Sequence, residues 1–137
     1  MDLGIAGKKA IVIGSSRGLG KGCAEALARA GCVVVVNGID PSRLSKTAGE
    51  IRRNTNAKII EVAGDVTTHD GQNALLTACP DPDILITNAG GPPFKDFREL
   101  ERDAMLTGVT WNMITPIELI QRCIDGMSQR GFGRILN

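Results

Sequence analysis

Seven residues between an apolar run and an amphipathic segment constrain this chain more than any others. Gly14-Ser15-Ser16-Arg17-Gly18-Leu19-Gly20 follows Ala10-Ile11-Val12-Ile13 and opens a stretch of helical periodicity. Glycine at the first, fifth and seventh places lets the backbone turn sharply and approach a ligand that a Cβ would hold away. A helix beginning at such a turn offers unpaired N–H groups and the positive end of its dipole, which suits a diphosphate. Strand, glycine turn and helix in this order predict an anion seat formed by Gly14, Ser16, Arg17, Gly18, Leu19 and Gly20.

The remainder of the chain repeats the alternation of short apolar runs with helical segments. Strands are expected at Lys8–Ile13, Cys32–Asn37, Lys58–Ala63, Asp83–Thr87 and Gly133–Asn137. The four consecutive valines after Cys32 suit a parallel strand covered on both faces. Helices are expected over Gly18–Ala30, with Leu19, Cys23, Ala26, Leu27 and Ala30 on the inner face and Gly31 as the stop. The next starts at Asp40-Pro41, with Asp40 as N-cap and Leu44, Ala48 and Ile51 as the buried stripe. Another covers about Thr68–Cys79; Pro92-Pro93 breaks the chain, and Asp96 with Glu99 resembles a capping box for a long helix reaching about Arg130. Strand–helix repetition with short connections defines a doubly wound α/β class, a parallel sheet within a single domain over residues 1–137.

The long helix is unusually apolar. Met113, Ile117, Ile120, Ile124 and Met127 recur at helical spacing, and Val109, Leu119 and Cys123 widen the stripe. One face covers the sheet; the excess width is read either as a broad core stripe or as a second burial surface.

Composition removes several classes of function. Hydrophobic content is 42%, charged content 23% and net charge +1, with the two signs interleaved. Such a surface has no basic block for nucleic acid and no cationic amphipathic stretch for a membrane. Met1-Asp2-Leu3-Gly4 is not a signal peptide. Cys23, Cys32, Cys79 and Cys123 are scattered without a C-x-x-C pair, which suggests free thiols in a reducing cytoplasm and no metal site. His69 is the lone histidine and falls at an expected helix start on the surface.

Cofactor choice turns on the end of the second strand, where a carboxylate would hold the ribose hydroxyls of NAD(H). Asn37-Gly38-Ile39 has none there, and Asp40 is better used as a cap. Arg17 can pair bidentately with a 2′-phosphate, favouring NADP(H) over NAD(H), or can simply decorate an exposed turn. Gly64-Asp65-Val66 follows the third strand on the ligand edge of the sheet; Asp65 either accepts from the adenine amino group or caps the next helix. Asn88-Ala89-Gly90 ends the fourth strand on the same edge, where small residues admit a ribose and the Asn amide can tie neighbouring strands.

Taken together, the glycine turn, Gly64-Asp65-Val66, Asn88-Ala89-Gly90, Trp111-Asn112-Met113 and Gly133-Arg134-Ile135-Leu136-Asn137 resemble the short-chain dehydrogenases/reductases over essentially the whole chain. Within that family the chain is most similar to the bacterial 3-oxoacyl-acyl-carrier-protein reductases, although a substrate does not transfer with such a likeness. The resemblance implies a Rossmann fold and hydride transfer between NADP(H) and a small carbonyl or alcohol. It also implies catalysis by an Asn, a Ser and a Tyr-x-x-x-Lys pair. Asn112 matches the asparagine; the other three would fall beyond Asn137, so the resemblance implies an incomplete domain ending at the fifth strand. It further implies a homo-oligomer, dimer or tetramer, through the helix around residues 105–130.

Pro116 bears on Asn112 independently. Lacking an N–H four residues on, it leaves the Asn112 carbonyl without its helical donor, so a kink at Asn112–Pro116 and a water on that carbonyl are expected. Two other classes of function stay open: a nucleotide-binding fragment or pseudo-enzyme without catalysis, and a flavodoxin-like protein that binds neither NADPH nor NADH.

Overall fold

Five short strands separated by helices lie side by side in the computed structural model, which describes residues 2–91 and 94–137. The break expected at Pro92-Pro93 lies outside the described residues. In chain order the elements are β1 (Lys9–Val12), α1 (Gly18–Arg29), β2 (Val33–Gly38), α2 (Pro41–Thr55), β3 (Ile59–Ala63), α3 (His69–Ala78) and β4 (Ile84–Ile86). A 3-10 turn (Phe97–Glu99), α4 (Arg102–Val109), a π-helical turn (Thr110–Ile114), α5 (Thr115–Gln129) and β5 (Arg134–Leu136) complete them.

Every strand pairing is parallel, and the spatial order is β3-β2-β1-β4-β5. Ile11 is in register with Val35 on one side and Leu85 on the other. The chain steps outward from β1 to β3, then returns past β1 to lay down β4. In open sheets, the crevice outside the carboxyl ends of the strands at that reversal is where ligands bind.

Alternation along the strands feeds two cores. Ala10, Val12, Val34, Val36, Ile84 and Ile86 pack against Ala24 and Ala28 of α1 and Leu44, Ala48 and Ile51 of α2. Ile11, Ile13, Val35 and Leu85 point the other way, against Leu75 of α3 and Leu119, Cys123 and Met127 of α5. Burial on both faces is why the strands read as continuous apolar runs rather than as alternating ones. The four cysteines are free thiols, three of them buried, and burial pushes Cys123 up to about 11.

Local chemistry sets the helix ends. Asp40 caps α2 as expected, its Oδ1 accepting the Arg43 N–H at 3.1 Å with Pro41 in the first turn. Gly31, at φ +84°, ends α1. Thr68 caps α3 through the Gly71 N–H at 3.1 Å.

Three expectations need correction. The inner face of α1 is Gly20, Ala24 and Ala28, flanked by Cys23 and Leu27, whereas Leu19 and Ala26 are exposed. The packing is so close that small residues, not the larger apolar ones, define that face. Asp96 accepts from the Arg98 N–H at 3.0 Å and caps only the 3-10 turn; the long helix starts later, at Arg102, without a side-chain cap. Finally, the sheet takes Pro116, Leu119, Cys123 and Met127 of α5, while Met113, Ile117 and Ile124 remain exposed. Within α5 itself the wide stripe divides, Leu119, Cys123 and Met127 facing the sheet and Ile117 and Ile124 a neighbouring exposed face.

Two glycines give opposite outcomes on substitution. A Cβ on Gly71 would overlap the Asp65 carbonyl, so Gly71→Ala is expected to cost about 2–4 kcal/mol. Gly22, in the interior of α1 with nothing within 4 Å of its Cβ position, should gain roughly 0.5–1 kcal/mol as alanine. Thermal denaturation of the two variants against wild type checks both signs.

Candidate nucleotide-binding site

The turn after β1 is fixed from three sides. The Ser15 N–H donates to the Asn37 carbonyl at 2.8 Å, and the Ser15 hydroxyl donates to Val12 O and accepts the Asn37 N–H, each at 2.8 Å. Thr47 of α2 donates its hydroxyl to the Ser16 carbonyl at 2.8 Å. From β4, the Asn88 amide Nδ2 donates to the Gly14 carbonyl at 3.2 Å. The Asn amide thus ties neighbouring strands as expected, whereas Ser15 and Thr47 carried no signal beyond hydroxyls at unremarkable positions.

The three glycines have separate reasons to be glycine. Gly14 sits at φ +59°, and a Cβ there would lie 2.7 Å from the Asn88 carbonyl oxygen. Gly18, at φ +57°, opens α1 and faces empty space. Gly20 lies behind the turn, where a side chain would overlap the Gly14 carbonyl. Its role is close helix–strand packing, not lining.

The first helical bond of α1 runs from the Lys21 N–H to the Arg17 carbonyl, leaving the N–H groups of Gly18, Leu19 and Gly20 at the helix mouth. Arg17 makes no side-chain cap, in contrast to Asp40 on α2 and Thr68 on α3. The helix beginning at the glycine turn therefore has its dipole and first donors uncovered by any side-chain cap, the arrangement that suits an anion.

In front of that mouth lies an open groove of about 560 Å³. It is lined by Gly14, Ser16, Arg17, Gly18 and Leu19, by Asn37 and Gly38 at the end of β2, by Asp65 and Val66 after β3, and by Asn88, Ala89 and Gly90 after β4. All the expected binding residues but Gly20 line it. Ile39, Asp40, Arg43 and Trp111 also line it; nothing in the sequence placed Arg43 there, and Trp111 entered only through the Trp111-Asn112-Met113 motif of the resemblance. The volume lies within the ~300–1,000 Å³ typical of ligand sites.

Individual side chains differ in what they leave free. Asn37 is buried and donates Nδ2 to the carbonyls of Val62 at 3.0 Å and Gly64 at 3.1 Å, so its amide nitrogen, like its backbone N–H and carbonyl bonded to Ser15, is engaged in the fold. Asp65 folds into a turn, its Oδ1 accepting from the Thr67 N–H at 2.9 Å and the Thr67 hydroxyl at 2.8 Å. Thr68, not Asp65, is the cap of α3, and Asp65 Oδ2 has no hydrogen bond among the described residues. Gly90 lies under the Trp111 ring, where a Cβ would come within 3.2 Å of Cζ3.

Asn112 stands beside the groove rather than in its lining. Its Nδ2 donates to the carbonyls of Gly90 at 3.1 Å and Gly108 at 3.0 Å, joining the helix to the turn after β4. Where a kink was expected at Asn112–Pro116, the structure has a π turn over Thr110–Ile114, in which the Thr115 N–H donates to the Thr110 carbonyl five residues back. The same shift accompanies a buried Thr115 hydroxyl with no partner among the described residues, since its ordinary acceptor is the carbonyl four residues earlier.

A doubly wound parallel sheet with a glycine turn, an uncapped helix mouth and a groove at the strand-order reversal is the Rossmann-like α/β architecture, whose ligands bind at that reversal. The match to the short chain dehydrogenase family covers residues 8–137, and the chain belongs to that family. It is 30% identical to the oxidoreductase YvaG of Bacillus subtilis over 137 residues, which is 99% of this chain and 52% of that protein. It is 28% identical to the 3-oxoacyl-[acyl-carrier-protein] reductase FabG of Aquifex aeolicus, covering 100% of this chain and 57% of that protein. Among solved structures, the L-sorbose reductase of Gluconobacter frateurii, complexed with NADPH and L-sorbose, superposes with a TM-score of 0.89 at 30% identity over 98% of this chain and 53% of that one. The chain spans about half the length of the relatives it matches.

Trp111, the single tryptophan of the sequence, lines the groove, so its emission would report a nucleotide that entered there. Gly14→Ala forces a side chain onto the Asn88 carbonyl and should abolish quenching by NADPH while lowering the melting temperature. Gly18→Ala meets open space and should cost only the roughly 1–2 kcal/mol of a left-handed residue, yet should still weaken NADPH by intruding on the seat. Equal melting temperatures for the two variants would contradict this division of labour.

Proposed function

We propose that the protein is an NADP(H)-dependent oxidoreductase that moves a hydride between the nicotinamide and the carbonyl or alcohol carbon of a small molecule, and that this chain supplies its cofactor seat. The observation that carries the reading is Arg17 on the groove at the uncapped mouth of α1, with no carboxylate free to take ribose hydroxyls at the end of β2. Asp40, the nearest acid, is engaged as the cap of α2. The L-sorbose reductase bound to NADPH supports the same cofactor class.

When bound, the cofactor supplies the hydride chemistry; the chain's residues place and screen it. The N–H groups at the mouth of α1 take the diphosphate, and Arg17 takes the 2′-phosphate as a bidentate guanidinium. Asp65 Oδ2 is available to the adenine amino group. Ala89 and Gly90 let a ribose sit against the end of β4. Asn112 holds the Gly90 carbonyl and hence the shape of that turn. Its own carbonyl receives no N–H from Pro116, and in this reading it accepts a water for proton transfer.

Val109, Met113, Ile117 and Ile124 form an exposed apolar face along α4, the π turn and α5. Each is between 41% and 56% exposed, and together they suit packing against the same helices of a second copy. Introducing Met113→Glu with Ile117→Glu should shift sedimentation toward monomer while leaving NADPH quenching of Trp111 intact.

Arg17→Ala is expected to weaken NADPH by roughly tenfold to a hundredfold, the range of one charge-assisted bidentate contact, and NADH hardly at all. Equal loss for both nucleotides would remove the phosphate role. NADPH oxidation with ketones and ketoses then separates an enzyme from a protein that only binds the nucleotide.

A further inference from the structure

We propose that Arg43 is a second ligand for the 2′-phosphate, held in reserve by Asp40, so that Asp40 sets how strongly the site prefers the phosphorylated cofactor. The inference rests on the NADP(H) reading of the groove and adds to it a residue that sequence alone did not single out.

Placement comes first. Arg43 and Arg17 line the same groove. Arg43 lies one helical turn before Thr47, whose hydroxyl holds the Ser16 carbonyl at 2.8 Å. Residues four apart share a helix face, so Arg43 occupies the face of α2 turned toward the glycine loop, at its groove end. Gly38 confirms how close these parts are: a Cβ there would lie 3.0 Å from Ser16 Cβ and 3.7 Å from Leu44 Cδ1. Ser16 precedes Arg17 and Leu44 follows Arg43, so the two guanidinium-bearing residues flank the tip of β2.

Asp40 acts on Arg43 twice. Its Oδ1 accepts the Arg43 backbone N–H at 3.1 Å, which fixes the carboxylate as the cap of α2. Its Oδ2 faces the Arg43 guanidinium at 3.5 Å, in a pair whose side chains are 50% and 46% exposed. An ion pair that long and that wet is weak, whereas a phosphate offers a guanidinium two parallel charge-assisted bonds. The guanidinium can therefore leave Asp40 for a phosphate without disturbing the cap. Asp40 cannot follow, and its charge opposes the phosphate throughout. Arg17 has no ion pair among the described residues, so it is the standing cation and Arg43 the conditional one.

Calorimetric titration of the protein with adenosine 2′,5′-bisphosphate and with 5′-AMP isolates the 2′-phosphate and needs no hydride step. Arg43→Ala should weaken the bisphosphate about fivefold to twentyfold, the range for one exposed charge-assisted contact, and leave 5′-AMP unchanged. Asp40→Asn keeps an oxygen acceptor for the cap and should tighten the bisphosphate roughly twofold to fivefold. That gain should vanish in the Arg43→Ala background, as a double-mutant cycle requires of coupled residues. Wild-type affinity for the bisphosphate in Arg43→Ala, or an Asp40→Asn gain that persists without Arg43, would overturn the inference. Should Arg43→Ala lose both ligands through misfolding, Arg43→Lys decides. It keeps the charge without the fork, so selective weakening of the bisphosphate supports the proposal and wild-type behaviour refutes it. Failure of the underlying reading looks different: wild type would not distinguish the two ligands, or Arg17→Ala would lose neither.

Discussion

The bond from the Asn88 amide to the Gly14 carbonyl, at 3.2 Å, joins the two halves of the sheet at the point where strand order reverses. β1 and β4 meet there although 74 residues separate the bonded groups. Gly14 must be free of a side chain to let Asn88 approach, and Gly20 must be free of one to let α1 pack on Gly14. The helix mouth, the turn after β4 and the floor of the groove are consequences of that one contact. A mismatch there would move the donors of α1 relative to Asn88-Ala89-Gly90, and neither half could then seat a ligand spanning both.

Around this clasp the structure distributes polar chemistry by need. Donors and acceptors facing inward are spent on the fold: Ser15 and Asn37 on strand edges, Thr47 on the Ser16 carbonyl, Asp40 and Thr68 on helix starts. Several groups left unspent converge on the groove: the first N–H groups of α1, Arg17 and one oxygen of Asp65. A satisfied scaffold holding a few unsatisfied groups in place is preorganised for an anionic ligand, because binding does not have to break internal bonds first.

Much of this was legible in the sequence because its signals are local. Four consecutive valines mark a strand covered on both faces, Asp40-Pro41 marks a helix start, and the strand–turn–helix context gives the glycines their meaning. Arg17, Asp65 and Asn88 could be placed on one edge because they follow strands that must lie parallel. The misses share a cause in tertiary contact. Leu19 looked like core by periodicity, but Gly20 and Ala24 are what the sheet has room for. Asp96 matched a capping pattern that serves only a short turn. Arg43 and Trp111 reach the groove through the approach of α2 and the long helix to the sheet, which spacing along the chain does not encode.

The π turn at Thr110–Ile114 decouples two faces of one continuous helix. A single additional residue within a turn rotates everything after it by about 100° relative to what came before. Trp111 and Asn112 can thereby be aimed at the turn after β4 while Leu119, Cys123 and Met127 are aimed at the sheet, two demands that a regular helix would impose on one azimuth. The bulge works as a phase adjuster: changes in the length of α4 upstream of it and in the packing of α5 downstream of it can be accommodated separately, so the neighbourhood of Asn112 is free to diversify without dismantling the core beneath it.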